Sequence, residues 1–243
     1  TGSMSGVGSV NYNGGSTQTV APTTYYNLTM NSTGASNTLS GTTTVTNLMS
    51  INSGSNMTLG SHTLVLSGTG TPLSIVGTFT PSTGTVQYTG TTATVTGTAY
   101  RNVTLGGTGT YTLPGTGWSI DGNLTVTSGA TVTKGAGTIT FGNTANTVTI
   151  TGNATNSDLG TISIGNSSAA KVVNLGGSVK ATAVTITAGA TLSLNGANTL
   201  TLTGAGTPIT ATGTFTASTG TIDYAGSGVT PANVTYYGLK VSG

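Results

Sequence analysis

The chain has very few groups that could carry out chemistry. Only 3% of its 243 residues are charged, against roughly a quarter in ordinary globular domains, and it has no cysteine and a single histidine, His62. Its acids are three aspartates, Asp121, Asp158 and Asp223, and no glutamate is present. General acid–base catalysis needs at least two titratable groups with separated pKa values in one cleft. The composition therefore predicts a protein that is not an enzyme.

Metal and cofactor sites are not expected either. Calcium-binding solenoids carry aspartate in their Gly-rich turns, whereas the turns of this chain carry Asn, Ser and Thr. His62 follows Ser61 and is interpreted as a surface turn residue. Asp223 stands where related segments of the same chain have Gln87 and Asn11, so the repeat tolerates loss of that charge. We expect no metal and no cofactor.

Two further classes of partner are disfavoured. The net charge of +2 is small and scattered, which is not the basic stripe of a nucleic-acid-binding surface. No run of about 18 apolar residues is present, so no membrane-spanning helix is expected. The sequence therefore predicts neither binding to nucleic acid nor insertion into a membrane.

What the chain has in abundance is Thr, Ser and Gly, set around short apolar stretches. Val, Ile and Leu alternate with Thr in segments such as 123–127, 147–151, 184–187 and 199–203. Alternation with a period of two places the aliphatic side chains on one face of a strand and Thr on the other. Gly, Asn and Ser clusters interrupt these runs as turns do. The pattern predicts an all-β fold.

Internal repeats indicate the architecture. Segments 70–88 and 206–224 are identical at most of their positions. Further landmarks recur at shorter intervals, such as Tyr25 with Tyr100 and Gly129 with Gly189. Both of these intervals divide into whole coils of about 19 to 20 residues, as expected where each coil adds one rung to a solenoid.

The repeats therefore predict one parallel β-solenoid domain over residues 1–243, with about twelve coils. It would consist of a long repeat at 8–83, a second long repeat with inserted coils at 84–219, and a partial repeat at 220–243. A β-sandwich is the alternative fold, since it also has short strands at regular spacing. A common coil length disfavours the sandwich, because sandwich strands do not need one.

Three segments of the chain resemble known surface proteins. FTPSTGTVQYTG (79–90), TAYRNVTLGGTGTYTLPG (98–115) and GNLTVTSGATVTKGAGTITF (122–141) resemble repeats in large surface proteins of environmental bacteria and archaea. They resemble filamentous-haemagglutinin-like adhesins more distantly. The resemblance implies a secreted parallel β-helix at the cell surface, used for attachment or in fibres, and it brings no catalytic motif.

Recurring tyrosines and Thr-x-Thr triplets each allow two interpretations. Tyrosines recur in pairs or triples at the same place in each repeat, and they suit either corner packing, which we favour, or stacking on sugars. These are Tyr12, Tyr25 and Tyr26; Tyr88 and Tyr100; and Tyr224, Tyr236 and Tyr237. Thr-x-Thr triplets on one flat face could bind ice, but Thr is also a favoured strand former with a solvated hydroxyl.

The two ends of the sequence carry the same repeat element. Residues 8–30 and 220–241 are copies of one another. Neither contains a charge cluster that would keep an exposed strand edge from pairing with another strand. We therefore expect head-to-tail association with further copies of the chain or with neighbouring repeats. The candidate self-association residues are Val10, Tyr12, Tyr25, Tyr26, Ile222, Tyr224, Tyr236, Tyr237, Leu239 and Val241.

The sequence favours an extracellular structural or adhesive protein that assembles end to end into a cell-surface fibre or forms part of a longer repeat adhesin. The alternative is a carbohydrate-binding or ice-binding solenoid module, for which surface glycans are a possible partner.

Overall fold

The alternation of apolar residues and Thr forms strands along the whole chain. A computed structural model describes residues 8–142, 144–153, 155, 157–165 and 170–243, which form 29 strands and no helix. In chain order the strands are β1 (Ser9–Tyr12), β2 (Gln18–Val20), β3 (Thr24–Met30), β4 (Ser36–Leu39), β5 (Thr43–Ile51), β6 (Asn56–Thr58), β7 (Thr63–Leu66), β8 (Leu73–Ile75), β9 (Thr78–Thr80), β10 (Thr85–Tyr88), β11 (Thr92–Thr94), β12 (Ala99–Tyr100), β13 (Asn102–Leu105), β14 (Thr110–Thr112), β15 (Trp118–Ile120), β16 (Leu124–Val126), β17 (Thr131–Thr133), β18 (Thr138–Phe141), β19 (Thr147–Thr151), β20 (Thr161–Ile164), β21 (Val172–Leu175), β22 (Val179–Ala181), β23 (Ala183–Ile186), β24 (Thr191–Ser193), β25 (Thr199–Leu202), β26 (Ile209–Ala211), β27 (Thr214–Thr216), β28 (Thr221–Tyr224) and β29 (Gly238–Val241).

The chain divides into two compact units. Unit 1 comprises Thr1–Thr96 and Tyr100–Tyr111, and unit 2 comprises Gly97–Ala99 and Thr112–Gly243. In unit 1 the strands stack in the orders β1-β3-β5-β7-β10-β13 and β2-β4-β6-β9, and β8 also pairs with β5. In unit 2 the orders are β16-β19-β21-β24-β27, β15-β18-β20-β23-β26 and β22-β25-β28-β29.

Strand neighbours in both units run parallel, as in the pairs β1–β3 and β18–β20. Each unit is a parallel β-solenoid, and the described coils number about 11, close to the predicted twelve. The prediction of a parallel β-solenoid is confirmed. The β-sandwich alternative is wrong, because a sandwich is built from antiparallel strands in two facing sheets.

The prediction of a common coil length is wrong. Val86 pairs with Val103, whereas Leu124 pairs with Ile150, so the second of these coils is much longer than the first. The difference lies in the connections between the strands, since the paired strands keep their register. Connections face solvent and tolerate insertions, so the coils vary in length without disturbing the stack.

The core of each unit is a ladder of aliphatic side chains at matching positions of successive coils. In unit 2, Ile139, Ile162, Val184 and Ile209 pair in register and are each at most 2% exposed. The residue that follows each of these positions is half-buried or exposed and is Thr or Ser, namely Thr140, Ser163, Thr185 and Thr210. Each buried aliphatic side chain contributes roughly 1.5–3 kcal/mol relative to an exposed one, so the ladder is the main stabilising interaction.

The two copies of the long sequence repeat have the same backbone. Segment 70–88 contains β8, β9 and β10, and segment 206–224 contains β26, β27 and β28 at equivalent positions. Ser82 and Ser218 both have φ of 50°, a value in the left-handed region that non-glycine residues rarely adopt. The sequence repeat is therefore a structural repeat, down to one unusual turn residue.

Close stacking of the coils requires glycine at some turns. A Cβ atom on Gly137 would lie 1.8 Å from the backbone carbonyl oxygen of Thr116, in the preceding coil. Backbone atoms cannot move aside as a flexible side chain can. Gly115, in the turn before Thr116, has open space where a Cβ would be.

We predict that Gly137→Ala lowers the free energy of unfolding by at least about 2 kcal/mol, because the methyl group forces the two coils apart. Gly115→Ala is the matched control and should change stability by less than about 0.5 kcal/mol. Urea or thermal unfolding followed by circular dichroism measures both variants. Equal stability of Gly137→Ala and the unmodified chain would contradict this stacking distance.

Candidate functional site

The three aspartates are engaged in ion pairs with lysines of other coils. Asp121 pairs with Lys171 at 3.0 Å, Asp158 with Lys134 at 3.2 Å, and Asp223 with Lys240 at 2.9 Å. Within the described ranges, no group of three or more His, Cys, Asp or Glu residues could hold a metal ion. His62 is half-buried, and its backbone N–H donates to the carbonyl of Leu59 across a tight turn, as a turn residue does.

The ion pair at Asp223 was not predicted from the sequence. Asp223 accepts hydrogen bonds from Lys240 and from the hydroxyl of Ser242, which fix β29 to β28. In the related segments Gln87 pairs with Thr104 and Asn11 pairs with Thr29. The charge at position 223 thus goes together with a lysine on the adjoining strand, a covariation that could have been found by aligning the three copies of the repeat.

The paired tyrosines form a repeated hydrogen-bond ring, which we call a tyrosine clasp. In one clasp the N–H of Thr96 donates to the hydroxyl of Tyr88 at 3.3 Å, and the hydroxyl of Tyr100 donates to the carbonyl of Thr96 at 2.7 Å. The two hydroxyls lie 3.0 Å apart. Because the proton of Tyr100 is used on Thr96, Tyr88 is the donor between them. The ring closes on both backbone groups of one loop residue.

The other two copies of the repeat contain the same clasp. Tyr12 and Tyr25 close on Ala21, with 3.1 Å between their hydroxyls. Tyr224 and Tyr236 close on Ala232, with 2.8 Å between theirs. Each clasp holds the loop between two adjacent strands of the stack, which supports corner packing as the role of these tyrosines. Tyr100 is 1% exposed, which leaves no ring face for a sugar to stack on.

The candidate self-association residues divide into buried and accessible groups. Tyr25, Ile222 and Tyr224 are buried inside their own units. Val10, Tyr12, Tyr26 and Tyr236 are half-buried. Three residues at the end of unit 2 are well exposed: Tyr237 at 70%, Leu239 at 50% and Val241 at 56%.

The exposed Leu239 and Val241 continue the buried core. β29 pairs with β28 so that Leu239 lies beside Ile222 and Val241 beside Tyr224, both of which are buried. At the equivalent place in unit 1, Leu28 and Met30 of β3 are fully buried under β5. The end of unit 2 therefore presents core positions without a covering strand among the described residues.

A second regular surface is a rank of hydroxyl side chains on one sheet of unit 2. The residues of this rank pair in register from coil to coil and are half-buried or exposed. They are Ser119, Thr140, Ser163, Thr185 and Thr210. Thr138 and Thr161 begin a neighbouring rank, which Ala183 interrupts. The structure thus places some of the Thr-x-Thr triplets on one face and spaces their hydroxyls by the strand separation.

Burial changes the ionisation of the clasp tyrosines. Burial raises the pKa of Tyr88 and Tyr100, and the neighbouring Tyr88 raises that of Tyr100 further. Burial also raises the pKa of Tyr25 and Tyr236. The hydroxyl of Tyr12 raises that of Tyr25 further, and the hydroxyl of Tyr224 raises that of Tyr236 further. These phenols remain protonated in the folded chain at a pH where the unfolded chain ionises.

We predict that the chain loses stability as the pH rises above about 10, the usual pKa of tyrosine. The unfolded chain then releases protons that the folded chain retains, so this contribution is fully present below pH ~10 and lost above it. Absorbance of phenolate measures the effect: the folded chain should ionise fewer than its nine tyrosines at pH ~11, and the denatured chain should ionise nearly all. Identical titration curves in the two states would contradict the clasps.

Comparisons with known proteins give no relative for this chain. No family model, no curated protein and no solved structure matches it. Across the residues that the structure describes, there is no helix with the length and apolar character needed to span a membrane. The function must therefore be inferred from the exposed end of unit 2, the hydroxyl rank and the ion pairs themselves.

Proposed function

We propose that the chain is a structural or adhesive component of an extracellular fibre and that it associates end to end by adding strands to its exposed β-edges. The observation that carries this proposal is the exposure of Leu239 and Val241 at core positions of β29. In a solenoid such positions are covered by the next coil, which a second copy of the chain or a neighbouring repeat can supply.

The partner of this edge is a parallel strand with apolar residues two positions apart. Parallel addition lets the backbone N–H and C=O groups of β29 complete their hydrogen bonds. β1 has the required pattern, since Val10 and Tyr12 alternate with Ser9 and Asn11. The covered counterpart in unit 1 supports this pairing, because Leu28 and Met30 of β3 are paired with Met49 and Ile51 of β5.

The charge distribution of the chain suits repeated association. Eight formal charges in 243 residues give little repulsion between copies. The three aspartates are also neutralised locally by lysines. Edge strands that avoid pairing commonly carry unpaired inward charges, and β29 has its one lysine, Lys240, bound to Asp223. β29 therefore lacks the unpaired charge that commonly prevents an edge strand from pairing.

We predict that the protein forms elongated oligomers whose size grows with concentration, and that a Leu239→Asp/Val241→Asp double variant remains monomeric. An unpaired carboxylate buried between strands costs several kcal/mol, so association should weaken by at least ~100-fold. Sedimentation velocity and negative-stain electron microscopy measure the effect.

Val76→Asp is the matched control for this experiment. Val76 is 71% exposed, but it lies in unit 1 and outside the candidate self-association residues, so its replacement should leave association unchanged. A monomeric wild-type chain at all concentrations would refute the proposal. Equal weakening by Val76→Asp would show that association depends on general surface hydrophobicity and not on β29.

The hydroxyl rank of unit 2 supports a second candidate function, binding to ice or to a polyhydroxylated surface. Its five residues repeat at the strand separation of ~4.8 Å, and residues two apart along a strand are separated by roughly 6.6 Å. A flat array with these spacings can hold ordered water or sugar hydroxyls. The interruption of the neighbouring rank at Ala183 limits the array, which makes this function the second choice.

For this second candidate, thermal hysteresis of a dilute solution is the direct measurement. If the hydroxyl rank binds ice, a gap between melting and freezing should appear, and Thr185→Lys should remove most of it by placing a bulky charge in the middle of the rank. Thr216→Lys is the control, because Thr216 is exposed on β27, in another sheet. Absence of hysteresis in the unmodified protein would exclude ice binding.

A further inference from the structure

Three polar residues of unit 2 are stacked at the same corner of successive coils. Asp121 precedes β16, Asn146 precedes β19 and Lys171 precedes β21, and the three are evenly spaced along the chain. The backbone connects two of the corners directly, since the N–H of Val172 donates to the carbonyl of Asn146 at 2.9 Å. Their side chains are therefore held at the separation of the coils.

Lys171 is fully buried at this corner, with 0% exposure. Its Nζ lies 2.5 Å from Oδ1 of Asn146, 3.0 Å from Oδ1 of Asp121 and 3.0 Å from the backbone carbonyl of Asp121. All three ammonium hydrogens therefore have an acceptor. The remaining carboxylate oxygen of Asp121 accepts from the hydroxyl of Thr144 at 2.5 Å, which fixes the carboxylate beside the amine.

The amide of Asn146 is held beside the amine of Lys171. Its Nδ2 donates to the backbone carbonyl of Asp121 at 3.0 Å, so the plane of the amide is fixed. The carbonyl bond is ~1.2 Å long, which places the amide carbon within about 3.7 Å of Nζ of Lys171. Reacting atoms at about 3–3.5 Å are close to an attack geometry. A buried lysine amine is one of the nucleophiles that proteins use.

We propose that Lys171 and Asn146 form an intramolecular amide cross-link between successive coils, with Asp121 as the proton carrier. The ammonium of Lys171 gives one proton to Oδ1 of Asp121, and the amine nitrogen then attacks Cγ of Asn146 to form a C–N bond. Asp121 returns that proton to Nδ2 and takes the second proton from the attacking nitrogen, which leaves a neutral amide N–H. The C–Nδ2 bond breaks, and the departing ammonia takes the proton held by Asp121 and leaves as ammonium, so that Asp121 is again a carboxylate. Nothing is oxidised or reduced, and no co-reactant is needed.

The cross-link would close the loop from 146 to 171 and join two coils covalently. This chain has no cysteine, so it has no disulfide that could do so. The reaction also converts the buried amine of Lys171 into an uncharged amide. A buried amine is costly unless it is neutral or paired, whereas the amide carries no charge. The other two lysine–aspartate pairs are not equivalent, because Lys134 and Lys240 have side chains that are 45% and 62% exposed.

Intact-mass spectrometry of the purified full chain tests this proposal. The folded protein should be lighter than its sequence mass by one ammonia. Trypsin does not cut after an acylated lysine, so digestion of the denatured protein should give one fragment covering 135–180, lighter by one ammonia. The uncross-linked chain would give separate fragments, 135–171 and 172–180.

Three variants distinguish the cross-link from other losses of ammonia. Lys171→Arg keeps the positive charge and should show the full sequence mass. Asn146→Asp replaces the departing ammonia by water, so its mass deficit should change to one water. Asp121→Asn should slow the reaction strongly while circular dichroism still shows the folded chain.

Three results would overturn the proposal. The first is a full sequence mass for the folded, unmodified protein, with cleavage after Lys171. The second is a mass deficit that persists in Lys171→Arg, which would locate the loss of ammonia elsewhere, for example at an Asn-Gly bond. A deficit of one water in the unmodified chain would also contradict it, since Asp121 would then be the residue joined to Lys171.

Discussion

The whole structure depends on the stacking of aliphatic side chains at the same position of successive coils. Each coil contributes one apolar layer, as in the row from Ile139 to Ile209, and covers the layer before it. Stability in such a fold is a sum of contacts between neighbouring coils. Where no coil of the described residues covers a strand, its core positions are exposed, as Leu239 and Val241 are. The same interaction that folds the chain is thus the one we propose for its association.

Polar side chains stabilise the loops and corners of the coils, which the aliphatic ladder does not reach. The tyrosine clasps satisfy the backbone groups of three loops, and each lysine–aspartate pair joins different coils. Exposed pairs such as Lys134 with Asp158 contribute little, at most about 1 kcal/mol. The buried Lys171 is different, because removing one partner would leave an uncompensated group in the interior. The three ion pairs thus use six of the eight formal charges of the chain.

The fold could be predicted from the sequence because its determinants are local and repeated. Alternation of Thr with Val, Ile or Leu specifies the strands, and the two copies at 70–88 and 206–224 share their strands and their unusual serine conformation. Coil length could not be predicted, since it depends on solvent-exposed connections that the core does not constrain. The corner of Asp121, Asn146 and Lys171 was also not predicted. Its members are far apart in sequence, and only the true coil lengths bring them into one row.

Parallel, in-register stacking can be tested by disulfide formation, because the chain has no cysteine of its own. Thr140 and Ser163 are Cα partners on adjacent parallel strands, which lie ~4.8 Å apart, within the range that a disulfide spans. A Thr140→Cys/Ser163→Cys variant should therefore oxidise readily in the folded state. Thr140→Cys/Thr185→Cys, two coils apart, should not. Failure of the first pair to oxidise, or equal oxidation of both pairs, would contradict the solenoid.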